Sequence, residues 1–175
     1  MKKENKKLEN IKKSSTAALI IAKIAKIICV IGIVLCVGAG IEFIRLNDAL
    51  NSVMSQAALE KMVNEIIGND FRKIFLDSHQ IGIAMGVYLL IESVLLIILA
   101  VSFHYIGKIF QDIKVSDSPF RRPVLKNMKV VFVLITLLIF QSAPLSGVMA
   151  GFSFWCVYCL FEYGCELQQL SDETL

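Results

Sequence analysis

The sequence predicts an all-α membrane protein with four transmembrane helices and an extracytoplasmic amphipathic helical segment between helices 1 and 2. Three observations predict it. Apolar residues make up 56% of the 175 positions and the mean hydropathy is +0.68, above the roughly 45–50% apolar content of soluble domains. That surplus gathers in four blocks near Ile20–Ile44, Ile81–Ile106, Val130–Ala143 and Pro144–Phe161. A bilayer core is crossed by about 20 apolar residues in a helix, whereas a membrane barrel would need alternation. Finally, eight of the 18 bases lie between Lys2 and Lys26, four between Arg45 and Lys73, six between Lys108 and Lys129, and none beyond. The positive-inside rule then places the first segment and the 107–129 loop in the cytoplasm and 45–80 outside, with both termini cytoplasmic.

The chain is expected to form one membrane domain over 1–175. Met1 to Ser15 reads as a lysine-rich leader, mobile or lying on the inner leaflet, where its charge attracts anionic lipid. The apolar run after it exceeds a signal-peptide core and lacks a small-x-small cleavage site, so it reads as a retained first helix, about 20–44. Lys23 and Lys26 can snorkel from its inner end. Gly32, Cys36 and Gly40 recur every four residues and form a stripe that admits a second helix backbone. Cys29 and Cys36 fall on or near that face, where packing accounts for them.

Segment 45–80 carries Leu46, Leu50, Val53, Met54, Ala57, Met62, Val63 and Ile66 at threes and fours, a helical rather than a loop pattern. Gly68-Asn69-Asp70 interrupts it. An amphipathic segment of this kind lies on the interface or caps the bundle; partner binding and ligand sensing are the sharper readings.

Helix two spans 81–106 and organises the chain. Gly82 and Gly86 form a GxxxG pair, and at 100° per residue Ser93, Ala100 and His104 share its stripe. Glu92 is the one acid in this run. An uncompensated charge at that depth costs at least about 2.5 kcal/mol, so something must protonate or satisfy it. Tyr88, one turn earlier, is placed to do so. Glu92 admits two readings: a proton-linked or ligand-gating group, or a protonated acid satisfied by a neighbour.

The loop 107–129 holds six bases against Asp112 and Asp117, a net of +4, whereas 162–175 holds Glu162, Glu166, Asp172 and Glu173 with no base. Either the loop contacts anionic headgroups and the tail is solvated, or the two pair as a charged latch or serve a cytoplasmic partner. Ser118 before Pro119, and again Pro123, signal the start of helix three, about 124–143. The stretch from Gln141 to Gly147 permits only a tight external turn, which makes helix three and helix four, about 145–163, antiparallel neighbours. Gly147 and Gly151 supply a packing pair in helix four.

Catalytic motifs are absent from the sequence. Phosphate-binding glycine loops, HExxH and clustered metal ligands are missing, and neither His79 nor His104 has a second ligand at helical spacing. Neither a metal nor a cofactor is expected. Trp155-Cys156-Val157-Tyr158-Cys159 echoes a thioredoxin-like motif, but that chemistry wants the pair at a helix start beside a strand. A quinone-linked membrane oxidoreductase is the fairer comparison, and it needs a second exposed cysteine pair that the outer segment lacks. Direct nucleic-acid binding is not expected, because topology already explains the basic leader.

Two cytoplasmic pieces carry a family resemblance. Ser118-Pro119-Phe120 and the ending with Gly164, Leu167, Gln168, Asp172, Thr174 and Leu175 resemble the bacterial membrane family catalogued as domain of unknown function 2975, whose members typically show an (S/T)PF step and a terminal G-x-x-L-Q-x-x-x-D-x-T-(I/L) pattern. Cys165 stands where the pattern is often small, and the step here runs into Arg121, Arg122 and Pro123. The resemblance implies a multi-pass bacterial inner-membrane protein, in a family whose genes often neighbour a small helix-turn-helix regulator. It supplies no reaction. The leading expectation is a non-enzymatic regulatory or interaction protein that senses a membrane or external signal and engages such a regulator through loop and tail. The alternatives are a thiol oxidoreductase using Cys156 and Cys159, and a small proton-linked transporter or immunity protein using Glu92 and forming a homo-oligomer through its glycine faces.

Overall fold

The computed structural model describes residues 2–53, 81–116 and 120–173. They form five helices: α1 (Lys2–Arg45), α2 (Asn47–Val53), α3 (Ile81–Ser116), α4 (Arg122–Ser142) and α5 (Pro144–Glu173). Four of these are long and apolar enough to cross a membrane, at Glu9–Arg45, Gly82–Val115, Arg122–Ser142 and Pro144–Ser171. The chain is therefore a helical protein of multi-pass membrane type. Most of the 45–80 amphipathic pattern, from Met54 on, and the Ser118-Pro119 step lie outside the described residues.

Helix bounds differ from the sequence reading in two places. The lysine-rich leader is helical from Lys2 and continuous with α1, a rod of about 66 Å at 1.5 Å per residue. Its residues favour that state, since Lys13 bridges Glu9 one turn back at 2.7 Å. The loop expected over 107–129 is also largely helical, because α3 runs on to Ser116 and α4 starts at Arg122. No glycine or proline stands between Lys108 and Ser116 to stop α3. Pro123 does mark the first turn of α4, and the backbone N–H of Leu125 donates to Arg121 O at 3.0 Å.

The chain divides into two compact units, 30–96 and the remainder. In the unit 30–96, α1 and α3 run antiparallel through their glycines. A Cβ built on Gly40 would stand 3.1 Å from Gly86 O, one on Gly86 would stand 2.6 Å from Gly40 O, and one on Gly32 would meet Leu96 Cδ1 at 3.1 Å. In lipid, van der Waals contact rather than water exclusion holds helices together, so each lost methyl group lets the backbones close further. Asn47 finishes the junction. Its Oδ1 accepts from the backbone N–H groups of Gly82 at 3.0 Å and Ile83 at 3.4 Å, two donors that no earlier turn of α3 satisfies. Asn47→Ala is expected to cost about 1 kcal/mol, or roughly 2–4 °C of thermal midpoint in detergent, while Asn47→Asp, which keeps the acceptor, holds the midpoint.

In the second unit the buried centre is the first half of α4, with Val124, Leu125, Met128 and Val131 inside. Buried Ser15, Ala22 and Cys29 of α1 recur at sevens, small residues that again allow close approach. Asn127 of α4 donates to Asp112 of α3 at 3.2 Å. Only Ala143 separates α4 from α5, and the two form a tight antiparallel hairpin. Gly147 lies against the Phe140 backbone, Gly151 against Thr136, and the Phe132 and Phe154 rings stack at 4.6 Å.

Candidate functional site

The polar residues expected inside the membrane separate into two places. Tyr88 and Glu92, both half-buried, lie one turn apart on α3. The i, i+4 spacing places the phenol on the same face as the carboxyl group. His104 is exposed and edge-on to Tyr105 at 5.7 Å. Together with Lys23, Lys26 and Lys108 it lines a groove of about 230 Å³ between α1 and α3. His104 thus lies exposed at the groove that α1 and α3 form, while Ala100 and Ser102 nearby on α3 are buried. The buried hydroxyl groups are satisfied internally: Ser93 Oγ donates to Leu90 O at 2.6 Å and Ser102 Oγ to Ile98 O at 2.9 Å.

At the basic end of α4 the structure brings the two motif pieces together. Phe120 packs on α5, its ring 5.4 Å from that of Phe161, and a Cβ on Gly164 would stand 2.7 Å from Phe120 Cε1. Gly164 is thus the opening that seats Phe120. Beside it, Arg122 donates to Gln169 Oε1 at 3.4 Å. Phe120, Arg121, Arg122, Gln168 and Glu173 share a cavity of about 460 Å³. Of the expected interaction residues, Leu167 is exposed away from this cavity, and the side chain of Asp172 lies outside the described residues.

The charged latch is corrected as well. Among the described residues no ion pair joins Arg121, Arg122 or Lys126 to the acids of α5. Glu173 is engaged along its own helix instead, accepting from Gln169 Nε2 at 3.2 Å. Arg122 meanwhile turns to an amide. The contacts that join the segments include an aromatic pair over a glycine and the Arg122–Gln169 hydrogen bond. Phe161 and Gln169 were not singled out in the sequence; an aromatic three residues before Gly164 is the signal that could have found the first.

Cys156 and Cys159 are free and exposed, about three turns into α5. That depth takes them away from the N-terminus of α5, which could otherwise stabilise a thiolate. Among the described residues no group of His, Cys, Asp and Glu is arranged to hold a metal.

Fold and site together define a four-span helical membrane protein whose chemistry-bearing surface is the basic end of α4 with the last turns of α5. No family model, curated protein or solved structure matches the chain.

Proposed function

We propose that the chain is a bacterial inner-membrane protein of the family catalogued as domain of unknown function 2975. Both termini face the cytoplasm, and residues 45–80 form an amphipathic cap on the outer face. Its function is non-enzymatic regulation: the membrane bundle holds a cytoplasmic platform that engages a protein partner, with a helix-turn-helix regulator as the partner the resemblance favours. The observation that carries this reading is the seating of Phe120 against Phe161 and Gly164. Two segments remote in sequence, the same two that carry the resemblance, make one surface. Arg121 is exposed on it beside the cavity. The contacts that seat this surface include a partly exposed aromatic pair and an exposed hydrogen bond, so a change in helix packing can bias partner access.

The test is purification from the native host's membranes in mild detergent, with identification of what accompanies the intact chain, a chain truncated after Tyr163, and the Arg121→Glu/Arg122→Glu variant. A DNA-binding regulator is expected with the intact chain and is reduced tenfold or more in the other two. Equal recovery from all three overturns the platform.

A further inference from the structure

We propose that the α4–α5 hairpin holds one diacyl phospholipid with a primary-amine headgroup, of the phosphatidylethanolamine class. Two adjoining cavities support this. Deep in the hairpin an apolar groove of about 250 Å³ is walled by Phe132, Val133, Thr136, Phe154 and Trp155, and Gly151 leaves its floor open. Toward the basic end a cleft of about 470 Å³ carries Arg122, Lys126 and Lys129 on α4 and Glu162 and Glu166 on α5. Lys129 and Tyr158 line both cavities. An apolar slot therefore opens directly into a charged one, at the depth where the apolar run of α4 gives way to bases.

The charges select the headgroup. Three cations face two carboxylates across the cleft, and among the described residues neither Lys126 nor Lys129 forms an ion pair with them. Lys129 Nζ lies 5.8 Å over the Tyr158 ring, between the two cavities. Opposite charges kept apart across a cavity fit a dipolar guest. A phospholipid whose acyl chain lies in the groove brings its phosphate first to Lys129 and Lys126, whose stems snorkel along the apolar wall. Its ammonium, further from the chains, then reaches Glu166, the acid nearer the end of α5. A headgroup with no amine leaves the acids facing a phosphate, and a trimethylated amine gives them no N–H to accept from.

The experiment uses the intact chain in nanodiscs of phosphatidylcholine doped with equal small fractions of phosphatidylethanolamine and phosphatidylglycerol, with retained lipid counted by native mass spectrometry. The wild type is expected to retain phosphatidylethanolamine about fivefold over either competitor, the effect of roughly one exposed ion pair. Glu166→Gln, at an exposed position outside the helix packing, should erase that preference without lowering phosphatidylglycerol retention. Lys126→Gln/Lys129→Gln should lower retention of all three, and Gly151→Leu, which fills the groove, should remove the bound lipid. Equal retention of the three lipids by the wild type, an unchanged preference in Glu166→Gln, or displacement of the lipid by millimolar inorganic phosphate would each overturn the proposal. The last outcome would assign the cleft to a soluble anion.

Discussion

Gly86→Leu is expected to lower the thermal midpoint in detergent by about 4–9 °C, while Gly38→Leu on α1 raises it by about 2–4 °C. Both changes replace a helical glycine with a residue of better helix propensity, a gain of roughly 0.8–1 kcal/mol. They differ only in what the new side chain meets. At Gly86 the first added carbon already collides with the Ile44 side chain and stands 2.6 Å from Gly40 O, a backbone atom that cannot turn aside. At Gly38 nothing lies within 4 Å. Overpacking of a seated position costs about 1–3 kcal/mol, and pushing two helix backbones apart belongs at the top of that range. For a chain of this size each kcal/mol moves the midpoint by roughly 2–4 °C. Size-exclusion recovery after heating reads both variants. Equal midpoints for the two would mean that α1 and α3 do not meet through their glycines.

This contact was legible in the sequence on one side of each helix and not on the other. Glycines spaced by four inside an apolar run announce a close approach, so Gly32, Gly40, Gly82 and Gly86 could be picked out. The partner of each is set by tertiary register, which local pattern does not contain. For that reason the Asn47 carbonyl over Gly82 was invisible: an asparagine after a break in helix reads as a turn residue, and it caps a helix that starts 35 residues later. The leader's helix was not legible for a different reason. Its charge already had an explanation in topology and anionic lipid, whereas Lys and Glu four apart also stabilise a helix along its own face. The same limit applied at the basic end of α4, where charge type was plain but reach was not. Opposite signs suggested ion pairs, yet Gln169, one turn from Glu173 on the same helix, had first claim on that acid. Aromatic pairing with a glycine outranked charge pairing there, because exposed ion pairs contribute only about 0–1 kcal/mol.

Gly164→Leu is the sharper test of how that platform is held. A side chain at Gly164 occupies the space of the Phe120 ring, whose Cε1 stands 2.7 Å from the first added carbon. Phe120 has no helix of its own to hold it, since α4 begins only at Arg122. The ring must therefore leave Phe161, and Arg121 goes with it. Displacement at a cost of about 1–3 kcal/mol raises the open population by roughly fivefold to more than a hundredfold. Where opening and closing are fast, proteolysis follows that population. Limited trypsin digestion of the intact chain in detergent should then cut after Arg121 at least fivefold faster in Gly164→Leu than in the wild type, while cleavage after Arg122 stays blocked by Pro123. Gly107→Leu, on α3 with nothing within 4 Å of the new carbon, should leave the rate unchanged. Phe120→Ala should match Gly164→Leu, because both remove the same contact from opposite sides. Cleavage at the wild-type rate in both would show that the last turns of α5 do not hold residue 120, and the platform would lose its physical basis.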